Sequence, residues 1–144
     1  TGDISTTIYN FPAVGTTTAA LKFGGAPGQL DIVEQFNGTS WTEVNDLNTG
    51  RSGPGGSGTS TLALCFGGYR PAAPATNYAL TEKWDGTSWT EVADLAQARA
   101  SGGQVGTQSS ALWVAGQNAI TGSTYDVTEE WNDPVYVVKT VTIS

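Results

Sequence analysis

Asn37–Val44, NGTSWTEV, returns 48 residues later as Asp85–Val92, DGTSWTEV. A near-identical return inside one short chain marks a repeated structural unit, and its period governs how everything else is read. Asn-Gly and Asp-Gly favour tight turns, because both central residues accept positive φ. The flanking segments, Val33–Phe36 with Ser40–Val44 and Leu80–Trp84 with Ser88–Val92, read as strands. Each copy therefore predicts an antiparallel hairpin whose arms meet at an aromatic (Phe36, Trp84) and a tryptophan (Trp41, Trp89).

The repeat extends outward from this hairpin. Gly15–Gly25, GTTTAALKFGG, aligns with Gly58–Gly68, GTSTLALCFGG, and more distantly with Gly106–Gly116, GTQSSALWVAG. Asp3-Ile4, Asp46-Leu47 and Asp94-Leu95 precede that first glycine by a constant interval, and the Glu-x-aromatic triplets at Glu34, Glu82 and Glu129 follow in register. We read one domain, 1–144, of three copies: 1–44, 45–92 and 93–144. Each copy accommodates four strands: a Gly-rich strand (Ile8–Val14, Ser52–Ser57, Ala100–Val105), an alternating strand ending at the glycine pair, and the two hairpin arms. In the alternating strand Leu64 and Phe66 point one way, Ala63 and Cys65 the other. Four antiparallel strands in a unit of this length suit a propeller blade, for which about 40 to 50 residues is usual.

The order Arg (Arg51, Arg99), Gly-rich strand, apolar strand, Gly-Gly (Gly24-Gly25, Gly67-Gly68), Glu-x-aromatic and Trp (Trp41, Trp89) resembles the kelch motif. Its dialect is similar to kelch-like repeats in structural and tail proteins of tailed bacteriophages, marine ones in particular. The resemblance implies an all-β, kelch-like β-propeller segment of three four-stranded blades, serving as a non-enzymatic structural or adhesion module of a virion. A secreted, extracellular protein is the alternative location. The ends depart from the motif. Ile8 stands where the other copies have Arg, Ala115-Gly116 replaces Gly-Gly, Tyr136 takes the Trp position, and Asn132-Asp133-Pro134 replaces the tight turn before a final strand, Val135–Ser144. Atypical terminal copies suit capping or seam-forming units. Known propellers have typically four to eight blades, so three cannot close a ring. The expectation is a homo-oligomer with two chains per six-bladed ring, or completion by the remainder of a longer chain. A threefold β-trefoil or β-prism is the alternative fold, although no Gln-x-Trp signature of a trefoil is present.

Composition narrows the chemistry. Among 144 residues there are 19 glycines, one cysteine (Cys65) and no histidine or methionine. Without His the chain lacks the commonest neutral-pH acid/base and metal ligand. Copper chemistry of the kelch oxidase kind therefore has no ligand set here, and neither catalysis nor a cofactor is expected. A lone cysteine rules out an internal disulfide and reads as a small buried hydrophobe. The net charge of −7 disfavours nucleic acid and anionic membranes as partners. No apolar run approaches the roughly 18 residues of a membrane-crossing helix. The chain opens with neither a signal peptide nor an initiator Met, which suggests a processed product, a mature secreted form or a piece of a longer polypeptide.

Residues shared by all copies are expected to serve the fold. By that filter Glu34, Glu82 and Glu129 bond neighbouring turns, Asp46 and Asp94 cap turns through their own side chains, and Arg51 and Arg99 tie the units through backbone carbonyls. Trp41, Trp84, Trp89 and Trp131 then pack between units. Trp113, aligned with Lys22 and Cys65, points to an interface particular to the third copy. Gly53–Gly58, GPGGSG, lacks the Lys-Ser/Thr ending of a phosphate loop and instead permits crowding near an axis. Asn37-Gly38-Thr39 is formally a glycosylation sequon, but the turn explains it. What varies is the connection after the glycine pair: Ala26–Leu30, Tyr69–Leu80 and Gln117–Val127. Loops raised on a rigid scaffold commonly carry binding sites. Tyr69, Arg70, Asn77, Tyr78, Asn118 and Tyr125 are therefore the candidate ligand-binding residues, suited to a glycan or a cell-surface receptor.

Overall fold

A computed structural model describes residues 2–133, and among them every regular element is a β-strand. The first repeat forms a four-stranded antiparallel sheet from β1 (Ala13–Thr16), β2 (Ala19–Phe23), β3 (Val33–Phe36) and β4 (Trp41–Val44) in sequence order. The second repeats this with β5 (Gly55–Gly58) and β6 (Ala63–Phe66), inserts a small two-stranded hairpin of β7 (Tyr69–Arg70) and β8 (Thr76–Asn77), and finishes with β9 (Thr81–Trp84) and β10 (Trp89–Val92). The third contributes β11 (Gly103–Gly106), β12 (Ser110–Gln117) and β13 (Thr124–Asn132), a three-stranded sheet. Among the described residues no sheet closes on itself. The Val135–Ser144 strand and Tyr136 fall outside the described residues.

The founding hairpins form, but their turns are looser than the sequence predicts: four residues, Asn37–Ser40 and Asp85–Ser88, separate the arms, and only the glycines, Gly38 (φ 95°) and Gly86 (φ 97°), take positive φ. Phe36 pairs with Trp41 and Trp84 with Trp89. In each turn the Asx side chain, Asn37 or Asp85, accepts the N–H of the residues two and three ahead. That hydrogen bonding holds the Asp85 carboxyl below its ordinary value.

The Gly-rich strands begin later than the sequence suggests, at Ala13, Gly55 and Gly103, by five residues in the first repeat and three in the others. The cause is a backbone kink at one equivalent position in every repeat: Asn10 (φ 59°), Gly53 (φ 61°) and Ser101 (φ 56°) are all left-handed. Just before it, Tyr9, Ser52 and Ala100 each bridge the segment that follows the glycine pair, at Ala26, Tyr69 and Gln117. A left-handed residue cannot continue a pleated strand, so pairing restarts beyond it.

Alternation in the second strand sorts the core into two seams. Leu21, Phe23 and Val33 of the first sheet meet Leu47, Ala63, Cys65, Trp84 and Trp89 of the second repeat. Phe23 and Trp89 rings stand edge to face at 5.1 Å, a favoured aromatic geometry. On the other side of the second sheet, Leu64 and Phe66 meet Ala111 and Trp113, with Leu95 and Trp131 packed around them. Trp113 thus fills the seam peculiar to the third repeat, its ring 5.0 Å from Phe66. Two glycines make room for it: a Cβ on Gly67 or on Gly102 would overlap the indole.

Gly102→Ala is therefore expected to lower stability by about 2 to 3 kcal/mol in equilibrium denaturation, the usual range for overpacking a filled core. Gly103→Ala, where an added Cβ meets no atom closer than 3.8 Å, is the control and stays near wild type.

Candidate functional site

Three features bear on function: the charged clamps inside the repeats, the loops after the glycine pair, and the outer face of the third sheet.

The clamps are built around the repeated glutamate. Glu82, buried in β9, accepts the backbone N–H groups of Asn48 (2.8 Å) and Thr49 (3.2 Å) and pairs with the buried Arg51 guanidinium. Arg51 also donates to the carbonyls of Leu80 (2.8 Å) and Gly67 (3.3 Å). The third repeat copies the set with Glu129, the Ala96 and Gln97 N–H groups, and Arg99. In the first repeat Ile8 cannot supply a cation, and Lys22 does so from the adjacent strand, in register with Glu34 and 2.6 Å from it. Burial alone raises Glu34, but the Lys22 hydrogen bond and those from Ser5 outweigh it, so its carboxyl lies below the ordinary 4.5. Every acid of this set is consumed in structure. The expectation that Asp46 and Asp94 cap their own turns needs correction: each accepts from the third strand behind it, at the Val33 and Thr81 N–H. Cys65 is fully buried, and burial, against the Arg51 charge, pushes its thiol up to about 12, so no thiolate nucleophile exists there.

The sequence-chosen loop residues divide. Asn77 and Asn118 meet: the Asn77 amide donates to Asn118 Oδ1 at 2.7 Å, and Asn77 Oδ1 accepts the Ala119 N–H at 2.9 Å. Asn118 Oδ1 also accepts the Ile120 and Thr121 N–H groups. These amides clasp the second and third loops together. The Tyr78 ring lies under the Arg51 guanidinium, 5.9 Å away, an addition to the clamp. Tyr69 and Arg70 form β7, and Arg70 donates to the Pro74 carbonyl at 2.7 Å. Tyr125 is placed in β13 opposite Gly116, because the strands of the third repeat run on to Gln117 and resume at Thr124. The loop there is shorter than Gln117–Val127.

The third feature was not singled out from the sequence. Val105, Leu112 and Val114 share one face of the third sheet, Leu112 standing between Val105 and Glu130 in the ladder. They are 62%, 38% and 41% exposed. Their counterparts Leu21 and Phe23 in the first repeat, and Leu64 and Phe66 in the second, are buried in the seams. Among the described residues nothing covers this face.

No family model matches the chain, and no curated protein does. Among solved structures 103 chains match, one being the structure of YjhT, with a TM-score of 0.69 and 17% identity. That likeness covers 84% of this chain and 42% of that one, and at such identity it speaks to the fold alone. The chain thus spans less than half the length of the structure it resembles.

Two expectations follow for the clamps. Glu82→Gln is expected to cost about 3 kcal/mol or more, since it strands a buried guanidinium, whereas Asp133→Asn, which breaks the partly exposed Lys83–Asp133 pair, costs less than about 1 kcal/mol; urea titrations compare them. The depressed Glu34 carboxyl contributes stability that is complete above pH 4.5 and is lost as pH falls through its lower native value. A Lys22→Met/Glu34→Gln double variant should therefore show a shallower loss of stability than wild type below that pH, read by denaturation midpoints between about pH 6 and pH 2.

Proposed function

We propose that this chain is a segment of a kelch-like β-propeller, each repeat forming one blade, and that it acts as a non-enzymatic structural or adhesion module of a phage particle. One observation carries the reading: an apolar sheet face that is sealed in two repeats stands open in the third among the described residues. A single-chain enzyme gains nothing from such a face, whereas an assembly part requires one. The consecutive antiparallel sheets, one per repeat and four-stranded in the first two, and a likeness that takes up 42% of a longer chain both support a ring that three repeats leave incomplete. The ring is completed by association with further repeats, and the phage-like dialect of the repeats supports a place in the virion.

Carbohydrate binding through the loops after the glycine pair is the weaker reading, because the Asn77 side chain is spent on Asn118 Oδ1 and the Ala119 N–H. End-on electron-microscopy averages of the purified protein are expected to show a ring of wedge-shaped sectors around a channel. A solid threefold body would overturn the propeller reading. Proteomics of purified tailed particles encoding this sequence is expected to find the chain as a stoichiometric component, and its absence from them would remove the virion role.

A further inference from the structure

The three left-handed residues do more than end the pairing of their own segments. Gly53 donates its N–H to the Asn10 carbonyl at 2.9 Å, and Ser101 donates its N–H to the Gly53 carbonyl at 3.0 Å. Equivalent atoms of successive repeats are thus joined in a relay that crosses both seams in one direction. Among the described residues the relay has two free ends: the Asn10 N–H has no acceptor and the Ser101 carbonyl no donor. Asn10 and Ser101 accept the left-handed conformation without being glycine, at a cost that a relay contact helps offset.

The faces at the two ends are complementary in the same sense. In the first seam, Leu21 and Phe23 rest on a row made by Ala63, Trp84 and Trp89, three residues opposite one another in β6, β9 and β10. The first sheet carries the matching row, Ala20, Phe36 and Trp41, also mutually opposite. Its Phe36 and Trp41 rings sit 5.1 Å apart, against 5.2 Å for Trp84 and Trp89. Ala20 and Trp41 remain half-buried, whereas Ala63 and Trp89 are buried. Among the described residues the chain therefore holds both halves of its own seam unjoined: a receiving row at one end and Leu112 with Val114 at the other.

Resting on the incomplete-ring reading above, we infer that a second copy of this chain covers the open face head to tail. The Ala20, Phe36 and Trp41 row of the second copy seats against Leu112 and Val114 of the first, and its Asn10 N–H donates to the Ser101 carbonyl. Because both copies carry both ends, the same contact forms twice about a two-fold axis. The relay then closes as six links, and neither end is left to recruit further copies. Geometry inside the chain selects this occupant: the internal seams show what such a face receives, and the first sheet presents that same row. Two copies of the matched portion also approach the length of the longer similar chain, since twice 42% is 84%.

Sedimentation and native mass spectrometry of the purified chain should find a dimer at micromolar concentration. Leu112→Arg, at an exposed position, should yield a folded monomer, with the dissociation constant raised at least about a hundredfold. Trp41→Arg blocks the opposite end and should do the same; Ala20→Arg serves if that variant fails to fold. Mixing a sheet-three variant with a sheet-one variant leaves one intact contact and should restore a heterodimer that neither forms alone. Amide exchange adds a local readout: the Asn10 N–H is protected in the wild-type dimer and exchanges freely in Leu112→Arg. A wild-type monomer overturns the second-copy inference, while the ring reading keeps its own test in the end-on averages. A dimer that Trp41→Arg and Ala20→Arg leave intact while Leu112→Arg dissociates it joins third sheet to third sheet, and overturns it too.

Discussion

A four-stranded sheet has two faces and no means of covering either by itself, so each repeat depends on its neighbour for a core. Every distinctive residue of the chain can be understood from that constraint. The alternating strand is apolar on both sides because it lines two seams at once: Leu64 and Phe66 look toward the third repeat, Ala63 and Cys65 toward the first. Small residues gather where the sheets crowd. Ser57 and the glycines before it lie buried beside Phe66 and Phe23, and an added Cβ at Gly55 or Gly56 would press on those rings.

Crowded apolar seams leave the backbone entering each sheet with polar groups to satisfy, and this is what the glutamate clamp does. One carboxylate in β9 takes two N–H groups of the incoming segment while a guanidinium neutralises it and caps two carbonyls. A buried carboxylate requires a cation nearby. Where Ile8 removes the arginine, Lys22 restores the charge from a position that holds Cys65 or Trp113 in the other repeats. The cation is kept while its origin shifts from the entering segment to the neighbouring strand. Exchange of that kind argues that charge balance, and not a particular side chain, is what the site demands.

Much of this architecture was legible in the residues. Turn chemistry at Asn37-Gly38 and Asp85-Gly86 placed the hairpins, and period-two alternation placed the faces of β6, because both depend on near neighbours. The left-handed kinks were not legible. Only Gly53 announces one, and Asn10 and Ser101 adopt it for contacts with residues more than forty positions away. The candidate loop residues were chosen for their chemical versatility, but versatility does not reveal whether a group is already used. Asn77 is already used by Asn118 and the Ala119 backbone.

The open face escaped notice for a more instructive reason. Searching for function where the repeats differ passes over Leu112 and Val114, which differ little from Leu64 and Phe66. Their exposure follows from where they stand in the order of repeats, not from what they are. In a repeat protein nearest-neighbour contacts carry the stability, so a repeat that keeps the interior apolar pattern with no described neighbour on one side leaves that seam uncovered among the described residues. Here Glu130 and Thr128 border the patch in the ladder, while Val105, Leu112 and Val114 fill it. A polar margin around an apolar centre is the arrangement of an interface core and rim. At the opposite end of the chain Lys22 is already neutralised by Glu34, so the receiving row of Ala20, Phe36 and Trp41 can be covered without stranding a charge.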